Sequence, residues 1–76
     1  MTKVMIHFSA ITDIYAFVGI VSKYPYDIDL CSGRYTVDGK SIMGVFSLDL
    51  LSDIQAVIYN DDPKELLSEI DKYIVK

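Results

Sequence analysis

The sequence predicts an α+β domain, a two-layer open sandwich with a four-stranded sheet on one side and helices gathered on the other. Three observations point there. Some short segments alternate apolar and polar residues while others repeat apolar residues at three- and four-residue spacing, in the order β-α-β-β-α-β-α. Turn dipeptides separate these segments, with no linker, repeat or low-complexity stretch between them. The length of 76 residues suits one domain spanning 1–76, because chains rarely divide into domains below roughly 100 residues.

Val4, Ile6 and Phe8 alternate with Lys3, Met5 and His7, the period of a half-buried strand, so the first three face the core and His7 faces away. Thr12 or Asp13 can cap a helix expected from Asp13 to Lys23, on which Ile14, Phe17, Val18 and Val21 form one apolar stripe. Tyr24-Pro25 stops it. The β-branched and aromatic content of this stretch would equally suit a strand; the helix reading rests on its length and its charged or capped ends. Tyr26 to Cys31 and Arg34 to Val37 flank Ser32-Gly33, expected as a two-residue hairpin turn, with Ile28 and Leu30 inward. Asp38-Gly39 makes a second turn, after which Ser41 reads as the N-cap of a short helix ending near Leu48 to Leu50. Ile54, Ala56 and Ile58 alternate with Gln55, Val57 and Tyr59 in a fourth strand, and Asn60-Asp61 turns the chain out of it. In the last helix Asp62 is the expected cap, Pro63 the first helical residue and Glu65 the acid of a capping box. Leu66, Leu67, Ile70, Tyr73 and Ile74 form its core stripe, and Lys72 and Lys76 suit its negative end.

Composition narrows the function classes. One cysteine, Cys31, cannot close an internal disulfide, and one histidine cannot build the usual zinc clusters. A net charge of −4 and a pI near 4.6 argue against nucleic acid, which needs clustered Lys and Arg. The charge is uneven: Asp13, Asp27, Asp29 and Asp38 balance Lys3, Lys23, Arg34 and Lys40, while the whole acidic excess follows residue 48 and reads as a solvated face. The longest apolar run, Ile14 to Val21, is far short of the roughly 20 residues of a membrane span. With no basic n-region before it, it is a poor signal peptide, and a reduced cytoplasmic setting fits the lone thiol. His7 has no Asp, Glu or Cys near it in sequence and reads as an ordinary surface residue. There is no nucleophile-base pair, phosphate loop or metal constellation; no enzyme, cofactor or membrane insertion is expected, and Asp61-Asp62 is a turn and a helix cap.

The segment Lys40-Ser41-Ile42-Met43-Gly44-Val45-Phe46-Ser47-Leu48 resembles the second-helix signature of HPr, the small phosphocarrier family of the bacterial sugar phosphotransferase system. Ser22-Lys23-Tyr24 and Asp27-Ile28-Asp29-Leu30 are similar to the end of the first helix and the second strand in that family, and the element order agrees over essentially the whole chain. The resemblance implies a four-stranded antiparallel sheet under three helices. It also implies an acceptor histidine in a His-x-Arg-Pro setting at the start of the first helix, where helix-end N–H groups and an arginine stabilise phosphate. Counting back from Ser22-Lys23-Tyr24, that motif falls on Ala10-Ile11-Thr12-Asp13, without histidine, arginine or proline. Ala10, Thr12 and Asp13 are thus expected as degenerate phosphohistidine-site positions. Asp13 adds a negative charge, and His7 lies mid-strand, away from the helix.

Within the resemblance, Ser41 matches the serine that a dedicated kinase phosphorylates in Gram-positive relatives, although a serine N-cap needs no such role. Ile42, Met43 and Phe46 match residues that dock partner proteins. By helical spacing Ile42, Val45 and Phe46 could all be core, whereas Met43 could not share that stripe. The expected function is a regulatory, protein-binding module of the phosphotransferase system that has lost histidine phosphotransfer. Its partners would be proteins of that system or a carbon-catabolite regulator. Two alternatives stand beside it, a phosphoryl carrier with a non-standard acceptor and a ferredoxin-like small-ligand module.

Overall fold

Inward apolar residues of short strands and helices close over a single core in the computed structural model, which describes residues Met1–Lys76. The elements in chain order are β1 (Thr2–Ile6), α1 (Ile11–Val21), β2 (Ile28–Ser32), β3 (Tyr35–Asp38), α2 (Ile42–Phe46), β4 (Ile54–Ile58) and α3 (Lys64–Glu69), followed by a 3₁₀ turn, Asp71–Tyr73. Every strand pair is antiparallel and the spatial order is β1-β4-β2-β3, so the last strand in sequence fills the gap between the first two. Its Ala56 pairs with Val4 on one side and Leu30 on the other. Ile6, Ile28, Leu30, Ile54, Ala56 and Ile58 face the buried stripe Ile14, Phe17, Val18 and Val21 of α1, with Val45 of α2 and Leu66 of α3 completing the layer. The α+β open sandwich and the order β-α-β-β-α-β-α are therefore as the sequence predicts.

Several boundaries differ, each for a local reason. Helix α1 begins at Ile11 with Ala10 as N-cap, two residues before the expected start. Asp13 is at the third helical position, and its Oδ2 accepts from the backbone N–H of Ser9 at 3.0 Å and of Ala10 at 3.2 Å. An acid can serve the free N–H groups from inside the first turn as well as from the cap, and spacing alone does not separate the two. Neither Thr12 nor Asp13 is the cap. In the β2–β3 hairpin Ser32 pairs with Tyr35, so the turn is Gly33-Arg34 and not Ser32-Gly33. Gly33, with φ of +59°, takes the first central position, where a hairpin turn of this type demands glycine. Helix α2 ends at Phe46, short of the Leu48 to Leu50 expected, where Ser47 Oγ donates to the Gly44 carbonyl at 2.6 Å.

The expected cap of α3 is displaced by one residue. Asp62 gives its N–H to the Asn60 side chain at 2.9 Å and its carboxylate to Lys64 at 3.7 Å, so it does not cap, and Pro63 precedes a helix that starts at Lys64. Helix α3 stops at Glu69, which removes Lys72 and Lys76 from its end; Lys72 lies over the Tyr73 ring and Lys76 pairs with Asp71. Beyond the 3₁₀ turn the chain runs along β1: His7 N–H donates to Tyr73 O, and Val75 N–H to Met5 O, both at 2.8 Å, around an Ile6–Ile74 bridge. The segment covers part of an otherwise open sheet edge. On the outer face Val57 is buried, flanked in register by Lys3 and Asp29.

Candidate functional site

The N-terminus of α1 packs beside α2 and the loop that leads into β4, and the sequence-singled residues fall in two groups there. At the helix start, Ala10 and Thr12 are exposed, and Asp13 occupies the Ser9 and Ala10 N–H groups with its own carboxylate. Such groups are what a bound anion would use at a helix end. Here a resident carboxylate holds them, no cation stands between Phe8 and Ile14, and Asp13 repels a second negative charge. His7 lies one residue past β1, on the outer side of the sheet. Fold places it where sequence could not: its Nδ1 is 3.3 Å from Asp53 Oδ1, at the next register position after Ile6–Ile54.

On α2, Ser41 is the N-cap, and its Oγ accepts from Gly44 N–H at 3.1 Å. A side-chain oxygen at that position satisfies one of the free donors of the first turn. The neighbouring Lys40 is committed elsewhere, its Nζ donating to the Tyr24 carbonyl at 2.6 Å. Val45 alone of the helix is fully buried. Phe46 is half-buried and meets Tyr15 edge-on, ring centroids 5.8 Å apart, while Ile42 is exposed and Met43 is 83% exposed. Ile42 is thus not core, and Phe46 only in part; a five-residue helix buries one residue where a longer one would bury a stripe.

The apolar surface extends beyond the residues that sequence singled out. Phe8, Ala10, Ile11, Ile14, Leu50 and Leu51 line a dent of about 230 Å³ at the α1 N-terminus. Ile11 is 62% exposed and Leu51 92%. Ile11 and Tyr15 are one turn apart on α1, and Tyr15 touches Phe46, so apolar side chains run from the dent to the α2 surface. The signal for Ile11 and Tyr15 was present in the sequence as large apolar residues off the core stripe; Leu51 carried none. A larger, polar cleft of about 600 Å³ is lined by Ser32, Gly33, Arg34, Tyr35, Asp49 and Asp53 among others, between the β2–β3 turn and the loop after α2. No group of three or more His, Cys, Asp or Glu side chains is placed to hold a metal ion. No helix is long and apolar enough to cross a membrane.

No family model and no curated protein matches the chain. Among solved structures, HPr-C-His from Thermoanaerobacter tengcongensis is similar at 25% identity with a TM-score of 0.77, over 95% of this chain and 89% of that one. The phosphocarrier protein HPr of Bacillus anthracis is similar at 24% identity and a TM-score of 0.73, over 97% and 96%. The catabolite repression containing protein Crh of Bacillus subtilis, whose structure is described as a swapped dimer, is similar at 18% identity and 0.65, over 100% and 93%.

Proposed function

We propose that this chain, an HPr-like protein, is a regulatory and protein-binding module of the sugar phosphotransferase system that does not carry phosphate on histidine. What supports the reading is Asp13. Phosphate on a residue at the start of α1 needs helix N–H groups and a nearby cation, and here the Ser9 and Ala10 N–H groups already serve a carboxylate. The naming of one neighbour after catabolite repression fits a regulatory role. Docking falls to Ile42, Met43 and Phe46, whose apolar surface stands open beside Tyr15.

Ser41 is the proposed gate. Phosphate there would place a charge of about −1.5 to −2 at the positive end of α2, tolerated by the helix while changing the surface next to Ile42. Incubation with enzyme I and labelled phosphoenolpyruvate tests the central claim, with no label expected on this chain. Acid-labile label would overturn it.

One observation favours the second reading, a carrier with an unusual acceptor: the carboxylate of Asp53 lies 3.3 Å from His7 Nδ1, within ion-pair reach of a protonated imidazole, although Nδ1 makes no hydrogen bond. Label present in the native chain and absent in His7→Gln would establish that reading. The small-ligand alternative finds no such support.

A further inference from the structure

We infer that the dent at the α1 N-terminus receives an apolar side chain flanked by lysine or arginine, presented by a basic amphipathic segment of a partner protein. This names the chemistry of the partner and rests on the docking role proposed above. The floor and walls are apolar: Phe8, Ala10, Ile11, Ile14, Leu50 and Leu51. Two carboxylates adjoin this lining, each fixed by bonds to the backbone of lining residues, and make its rim anionic. Asp13 is bonded to the backbone of Ser9 and Ala10, which line the dent, and Asp49 Oδ1 accepts from the N–H of Leu51, another lining residue, at 3.1 Å. No lysine or arginine lines it. The ammonium groups of Lys23 and Lys40 are bound to Glu69 and to the Tyr24 carbonyl, so neither neutralises the rim.

An apolar knob with an acidic surround would meet two fixed like charges, and a phosphate would meet the same charges with no lysine or arginine in the lining to offset them. A cationic surround meets complementary charge, and complementarity of this kind selects the partner and speeds its arrival. A second copy of this chain is the wrong occupant, because its own face would present the same two carboxylates.

The test uses the whole protein with two designed helical peptides, one of Leu and Lys and one of Leu and Glu in the same pattern, followed by fluorescence anisotropy and by amide chemical shifts. The Leu/Lys peptide is expected to bind, to shift the amides of Ile11 and Leu51, and to weaken with added salt. Leu51→Ser, at a side chain too exposed to affect folding, removes the dent's apolar edge without changing its charge and is expected to reduce affinity roughly threefold or more. Asp13→Asn with Asp49→Asn keeps acceptor oxygens and removes both charges, for a loss of roughly three- to tenfold. Equal or better binding of the Leu/Glu peptide overturns the inference and leaves the docking role standing. Binding of neither peptide overturns both. Shifts confined to α3 and the residues after it would show attraction to the acidic end alone and overturn the inference, as would a dimer in solution that Leu51→Ser dissolves.

Discussion

Tyr73 holds its ring between Phe8 and Phe17, 5.9 Å from each centroid, with 3% of the residue exposed, and its hydroxyl has no partner inside the protein. A buried hydroxyl without a hydrogen bond costs the free energy of its lost hydration, about 1–3 kcal/mol. Tyr73→Phe removes the cost and keeps the ring, so urea unfolding is expected to find the variant as stable as the native protein or up to about 1 kcal/mol more stable. A clear loss would mean that the hydroxyl is satisfied. The position was legible as core from its spacing, but the fate of one oxygen atom depends on three rings brought together from the segment after β1, from α1 and from the C-terminal turn. Ser41 makes the opposite case. A cap is a contact three residues away along the chain, and the serine and its Gly44 partner could be read from local order alone. Asp13 shows the limit of that logic, because the same acid satisfies helix-end donors from two positions.

At the scale of elements, the turn after α1 is tied to the end of α3 through one carboxylate. Glu69 takes Lys23 Nζ at 2.5 Å on Oε2 and the Tyr24 hydroxyl on Oε1. Hydrogen bonds from Lys23 and then Tyr24 hold the Glu69 carboxyl below its ordinary range, and the bond to Glu69 pushes Tyr24 up to about 12. The two directions set opposite pH limits. A lowered carboxyl stabilises the fold above the unfolded glutamate value, near 4.3, and that contribution fades as pH falls through the lower folded value. A raised phenol leaves stability intact below the unfolded tyrosine value, near 10, and loses it as pH rises toward the folded one. Glu69→Gln is expected to flatten the acid limb of the stability profile and to bring the Tyr24 phenolate transition, followed by ultraviolet absorbance, back toward about 10. An unmoved transition would sink the assignment. None of this was readable beforehand: Lys23 and Glu69 are 46 positions apart, and their meeting is a product of how α1 and α3 pack.

For the whole molecule, one cluster of 16 buried residues carries the fold, and a domain of this size retains only about 3–5 kcal/mol of net stability. Leu30 lies in β2, between β4 and β3, and is fully buried. Leu30→Ala costs about 2–5 kcal/mol through lost burial and the cavity left behind. That approaches the whole stability, so circular dichroism at 25 °C is expected to show a largely unfolded chain, whereas Leu51→Ala, at a side chain 92% exposed, stays folded. The acidic excess after residue 48 also looks different in three dimensions. Asp53 faces His7, Asp61 the N-terminal amine, Asp62 Lys64, Glu69 Lys23 and Asp71 Lys76, while Asp49 braces its own loop. Most of these acids have individual partners and do not form one repelling face.

The sequence by itself determined the element order, the core faces of β1, α1, β2 and β4, the cap at Ser41 and the lack of histidine, arginine or proline at the start of α1. Each depends on neighbours within about one or two turns of chain, where spacing and chemistry suffice. The tertiary structure decided the strand order β1-β4-β2-β3, the pairing of His7 with Asp53, the C-terminal segment along β1, and the dent that joins Phe8 and Ile11 to Leu50 and Leu51. Those contacts span tens of residues, and no local periodicity encodes them. They arise because a small chain has only a few ways to bury four strands and three helices against each other, and the remaining surfaces meet as the packing it adopts dictates.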